Sequence, residues 1–188
     1  GQDKKPLIDW KRYQEELPTE AQIRRWWSKW PDANIGLICG MISGMDVLDI
    51  DSEEGLNVVI AEYLRESDLD KIPLVETPNG YHLYFKHKAG LRNGVRVLPG
   101  CDLRTTGGYV IAPPGQNIDG KIYAWSEGLK ITDTKMIPMP DKLYNALKHP
   151  QNESKGPVNR KKITLAPVKK GKRNEILTRL VGKWINES

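Results

Sequence analysis

The sequence predicts an α+β domain. Three observations carry that prediction. Two alternating apolar runs, LVETP (74–78) and YHLYFKH (81–87), flank Asn79-Gly80, which is a strong hairpin signal. Gly and Pro cut residues 95–125 into short runs of strand length,. Two amphipathic segments with capping residues precede the hairpin and read as helices.

Taken in order, TEAQIRRWWSKW (19–30) is the first helix. Thr19 is placed to cap it, and Gln22 completes a capping box. Ile23, Trp26, Trp27 and Trp30 recur at helical spacing, a stripe expected to pack on a sheet,. NIGLICG (34–40) and MDVLDID (45–51) are apolar strands joined by a turn at Ile42-Ser43-Gly44. Residues 52–65 form the next helix, capped by Ser52, with Glu53 and Glu54 in its first turn,. Leu56, Val59, Ile60, Tyr63 and Leu64 supply its buried stripe. After the hairpin come strands at 95–100, 101–106, 109–114 and 121–125, with a turn at Gly107-Gly108, and then a short helix at 141–148. Residues 150–170 read as a polar, basic linker with Pro157 and Pro167. Residues 171–188 resume as an amphipathic helix with Ile176, Leu177, Leu180, Val181 and Trp184 on one side. The resulting domains are 1–150, 151–170 and 171–188. The chain opens on Gly1 and stops inside that last helical pattern, so it reads as a segment of a longer protein.

Composition narrows the class. The chain has 188 residues, 38% of them hydrophobic and 28% charged, as in ordinary globular proteins,. No run of about 18 apolar residues occurs, so no membrane partner is expected. Two cysteines, Cys39 and Cys101, and three histidines lack CxxC or HxxxH spacing, though a mixed zinc site stays open,. A reduced, cytoplasmic setting is expected. The net charge of +5 is uneven: residues 151–188 hold ten Lys and Arg against three Glu, or +7, leaving −2 for the rest. The high pI therefore belongs to the tail, which suits nucleic-acid contact or a solvated linker equally,.

Three motifs carry the chemistry. Asp49-Ile50-Asp51 ends an apolar strand. Residues i and i+2 share a face, so both carboxylates project together, with Cα atoms about 6.5–7 Å apart. Such a pair repels unless a cation lies between, and its hard oxygens suit Mg²⁺ or Mn²⁺. DxD at a strand end is also commonly a polar edge. His82 follows the Asn79-Gly80 turn and shares a face with Tyr84. Alone it reads as a partly exposed strand histidine, but a turn rich in N–H groups beside an imidazole also suits a triphosphate. Asp102 and Arg104 share a face of a short strand. Alone they are a surface ion pair; with the other motifs, Asp102 becomes a third metal ligand and Arg104 a phosphate partner.

The order of these motifs, hhDhD, then G-x-H, then hD-x-R followed by GGYVIAPP, resembles the archaeo-eukaryotic primase superfamily. The likeness is to its prim-pol branch, the N-terminal bifunctional DNA primase/polymerase domain of plasmid and phage replication proteins. It covers roughly residues 5–145. It implies an RRM-like antiparallel core with an N-terminal αβ layer. It implies template-dependent nucleotidyl transfer, DNA primase or polymerase activity, with two Mg²⁺ or Mn²⁺ ions on Asp49, Asp51 and Asp102. His82 would contact the triphosphate, helped by Arg104, Lys86 and the backbone of Asn79 and Gly80. The family often has Ser where this chain has Gly80, and its zinc-bearing insertion has no counterpart here. Implied partners are single-stranded template, primer and dNTP or NTP. Residues 171–188, with Gly171, Arg173, Asn174 and Leu177, resemble the first helix of the helical primase C-terminal domain, which implies fusion to that domain and to a possible helicase. The residues alone leave rival readings: a catalytically silent single-strand DNA-binding module, a metal-dependent nuclease, or a structural domain.

Overall fold

The computed structural model describes residues 5–149 of the chain. These make up nearly all of one unit, Gly1–Pro150. The predicted linker and terminal helix lie outside the described residues.

The predicted α+β architecture is present. A 3₁₀ turn (Lys11–Gln14) leads into α1 (Glu20–Lys29) and β1 (Ile35–Ile38). Then follow β2 (Met45–Ile50), α2 (Glu53–Tyr63), a short α3 (Glu66–Leu69), β3 (Leu74–Glu76) and β4 (Tyr81–Lys86). The chain continues through β5 (Gly94–Leu98), β6 (Cys101–Arg104), β7 (Tyr109–Ala112), β8 (Ala124–Trp125) and α4 (Asp141–Lys148). Six strands form one antiparallel sheet in the order β5-β6-β2-β4-β3-β8, and β1 pairs with β7 in a separate two-stranded ribbon.

Alternation along β2 assigns the two faces of the main sheet. Leu48 and Ile50 are fully buried on one face. Their partners across the ladders are Leu83 and Tyr81 of β4 and Leu103 and Cys101 of β6. Helices cover this side, with α2 against β2 and α4 against β5. The odd-numbered residues of β2 point to the other face. There Val47, Val75 and Tyr84 form a buried cluster with Cys39, Val110 and Tyr123, so the β1–β7 ribbon caps half of that face. The remaining half is where β2 ends in Asp49.

Capping works as read from the sequence. Thr19 and Gln22 close a reciprocal box at α1, and the Ser52 hydroxyl accepts from the Gly55 N–H at α2. The Trp stripe behaves differently. No residue of α1 is buried; Trp26 stacks edge-on against Tyr13, and Trp27 stays 40% exposed. The N-terminal segment supplies the apolar partner expected from the sheet. Of the run at 121–125 only Ala124–Trp125 pairs as a strand.

Asp46 is fully buried on the helix-covered face of β2. One of its oxygens meets His87 Nδ1 at 2.8 Å and the other accepts the Lys88 N–H at 2.9 Å. A buried carboxylate needs such partners, and they tie the end of β4 back to β2.

Both cysteines are buried at 1% exposure. Burial, followed by neighbouring carboxylates, pushes both thiols up to about 12. The thiolate is the nucleophile, so neither thiol should react with iodoacetamide in the folded protein at pH 8. Both should label once the chain is unfolded in denaturant. Mass spectrometry of the alkylated protein would reveal this, and rapid native labelling of Cys101 would contradict the packing around β6.

Candidate active site

The site grows from the position of β2 between β6 and β4. Pairing register sets Asp49 directly opposite Asp102 on one side and His82 on the other. Paired Cα atoms on antiparallel neighbours stand about 4.5–5.5 Å apart with side chains on one face,. A single row across three strands therefore reads Asp102, Asp49, His82. The next row down that face is Arg104, Val47, Tyr84. Residues far apart in sequence are thus brought together by strand pairing alone.

Asp51 lies one residue beyond the end of β2. The β2–β6 ladder still reaches it, since its N–H donates to the Gly100 carbonyl at 2.8 Å. The carboxylates of Asp51, Asp102 and Asp49 all raise the Cys101 thiol, after burial itself.

The side chains are engaged as follows. His82 Nε2 stands 3.5 Å from Asp49 Oδ1. The ring is only 4% exposed, which corrects the expectation of a partly exposed strand histidine. Its Nδ1 is buried without a hydrogen-bond partner, as is the Tyr84 hydroxyl one row below. Tyr84 and Tyr123 flank the imidazole, with ring centroids at 6.2 and 5.9 Å. Asp102 is held from two directions. Arg104 Nη2 donates to its Oδ2 at 2.7 Å, and the Arg96 backbone N–H donates to its Oδ1 at 2.8 Å. Arg96 makes that bond from a left-handed conformation, φ +53°, inside an irregular stretch of β5. Sequence reading did not find Arg96, because a backbone donor leaves no residue-type signal.

Among the described residues, no three His, Cys, Asp or Glu side chains are already grouped to hold a metal ion. The donor chemistry nonetheless suits one. Asp49, Asp51 and Asp102 offer only hard oxygens.

Other predicted contributors fall elsewhere. Lys86 pairs with Met45 at the far end of the sheet, about 13 Å along β4 from His82. The N–H groups of Asn79 and Gly80 both point to Thr77 Oγ1, at 3.4 and 2.9 Å, so the turn satisfies its own amides. Glycine at position 80 has a separate cause. A Cβ there would come within 1.9 Å of the Ile50 carbonyl oxygen and 2.8 Å of the Asp51 carbonyl carbon. The turn before His82 rests directly on the backbone joining Asp49 to Asp51, which leaves no room for a side chain at position 80.

A family model, the N-terminal bifunctional DNA primase/polymerase domain, matches residues 1–142. The chain belongs to this primase/polymerase family. At the level of the family, membership makes it a nucleotidyltransferase domain of DNA replication. No individual curated protein matches the chain. Among the described residues, no helix is long and apolar enough to cross a membrane.

The Gly80 contact yields a stability test. Gly80→Ala forces a methyl against backbone that cannot swing aside, and overpacking of this kind costs about 3 kcal/mol. Thermal unfolding should show a clear drop in Tm for Gly80→Ala. A variant as stable as the parent would contradict the close approach of the two loops.

Proposed function

We propose that the row Asp102–Asp49–His82, extended by Asp51, is the nucleotidyl-transfer centre of a prim-pol domain that adds nucleotides to a primer strand on a single-stranded DNA template. The observation that carries this reading is the register of β6, β2 and β4. It sets two acids and a buried histidine side by side on one face of the sheet in a chain of this family.

The residues have distinct tasks in this reading. Asp49, Asp51 and Asp102 supply the oxygens for two divalent cations, Mg²⁺ or Mn²⁺. Bound there, such ions would activate the primer 3′-hydroxyl and neutralise the triphosphate and departing pyrophosphate. His82 donates from its ring to the triphosphate. Its position is set by β4 and by the flanking Tyr84 and Tyr123 rings, so it loses little freedom on binding,. Arg104 adds a planar, permanently charged donor for a phosphate oxygen. The buried floor formed by Val47, Val75 and Tyr84 keeps the base of the site rigid and dry, which strengthens every polar contact above it,. Placement and electrostatics would then supply most of the rate.

The nuclease reading uses the same acids but gives no task to a histidine held beside them. The silent binding-module reading leaves Asp49 and Asp51 facing a polyanion, which is repulsive without cations.

Primer extension on a single-stranded template with Mg²⁺ or Mn²⁺ tests the assignment. Asp49→Ala and Asp102→Ala should each cut incorporation by about a thousandfold or more, the scale on which one group stabilising a transition state acts. Circular dichroism should show the fold retained. Incorporation at the parent rate by either variant would refute the assignment. His82→Ala should raise the nucleotide KM about tenfold, the effect of one charge-assisted hydrogen bond,. An unchanged KM would remove His82 from the nucleotide site.

A further inference from the structure

Asp102 stands in an unusual position for a proposed cation ligand, because both of its oxygens already accept from protein donors. The two donors differ in kind. Arg96 gives a main-chain N–H, fixed by a left-handed backbone that residues other than glycine rarely adopt,. Its hold on Oδ1 cannot be withdrawn without remaking the β5–β6 irregularity. Arg104 gives a side chain, itself 29% exposed, from the same strand two residues on. Its hold on Oδ2 can be released by rotating the guanidinium. One oxygen is thus anchored and the other is exchangeable. Across the row, Asp49 is turned to His82 at 3.5 Å. The two acids therefore lie opposite each other in register while each faces a different nitrogen partner.

We propose that Arg104 is a built-in counter-ion for Asp102, which occupies the acid until a nucleoside triphosphate draws the guanidinium away. Cation entry at Asp102 and nucleotide entry are thereby coupled. This role rests on the nucleotidyl-transfer reading above and deepens it. A guanidinium at 2.7 Å from Oδ2 competes directly with a divalent ion for that oxygen. A triphosphate carries more charge than one carboxylate and offers Arg the same planar, two-oxygen geometry. Once Arg104 turns to phosphate, Oδ2 is free for the ion that the triphosphate itself brings. Without nucleotide, the pair neutralises a negative charge that would otherwise stand next to Asp49 and Asp51. Arg104 would then tighten nucleotide binding and weaken cation binding in the nucleotide-free protein. A purely structural arginine cannot have effects of opposite sign.

The test is Mn²⁺ titration followed by the electron paramagnetic resonance signal of the free ion, with and without an α,β-methylene deoxynucleoside triphosphate. The whole chain is used, as the parent and as Arg104→Ala, Arg104→Lys and Asp102→Asn. Arg104→Ala should bind Mn²⁺ at least threefold more tightly than the parent without nucleotide, and the analogue about tenfold more weakly with Mn²⁺ present. Arg104→Lys, which keeps the charge and loses the planar fork, should lie between. Placing Asp102→Asn beside Arg104→Ala should erase the gain in Mn²⁺ affinity. Equal or weaker nucleotide-free Mn²⁺ binding by both Arg104 variants would overturn the counter-ion role while leaving the active-site assignment standing. A parent chain that binds no Mn²⁺ with or without the analogue would overturn both.

Discussion

Everything at the site depends on β2 being an interior strand with one fixed register on each side. Asp49 meets Asp102 only because Ile50 pairs with Cys101, and meets His82 only because Ile50 pairs with Tyr81. A slip of one residue on either ladder would turn the partner's side chain to the opposite face. That slip is prevented by burial. Leu48, Ile50, Leu103 and Phe85 are all essentially inaccessible on the helix-covered face, and none can be exchanged for a polar neighbour without a large penalty,. The Asp46–His87 pair at the other end of β2 adds a polar pin to the same register. The apolar side of the sheet thus decides the geometry of the charged side.

The charged side in turn poses an electrostatic problem. Asp49 and Asp102 in one row, with Asp51 just past the end of β2, repel one another,. The fold answers with nitrogen partners: the imidazole of His82 beside Asp49, and the guanidinium of Arg104 with the Arg96 amide on Asp102. In the proposed reading, these partners would hold the centre without ligand and give way to cations and a triphosphate. The ribbon of β1 and β7 seals the Val47–Tyr84 part of this face, while Asp49 and Asp102 beyond it stay partly exposed. One sheet face therefore has a dry floor and a polar mouth.

Much of this was legible in the sequence, for identifiable reasons. Period-two alternation in MDVLDID and YHLYFKH placed Asp49 and His82 on strands and gave their faces correctly. The Asn79-Gly80 signal gave the hairpin that carries His82, and local capping chemistry gave α1 and α2. What stayed hidden depends on contacts between distant segments. The separation of β7 from the main sheet is a pairing choice that GGYVIAPP does not encode locally. Gly80 reads as a turn residue, yet its tightest constraint is the Ile50 carbonyl 30 positions earlier. Lys86, expected beside His82 at the triphosphate, lies four residues along the same strand, about 13 Å away. The depth of His82 and the main-chain hold of Arg96 on Asp102 follow from three-dimensional packing that no residue type announces.

The most direct test of the central claim is crystallographic. Crystals of the protein grown with Mn²⁺ and an unreactive deoxynucleoside triphosphate should show anomalous scattering between the carboxylates of Asp49 and Asp102, with metal–oxygen distances of about 2.0–2.3 Å and phosphate oxygens beside His82. Manganese and triphosphate bound elsewhere, with that row of the sheet left without an ion, would contradict it.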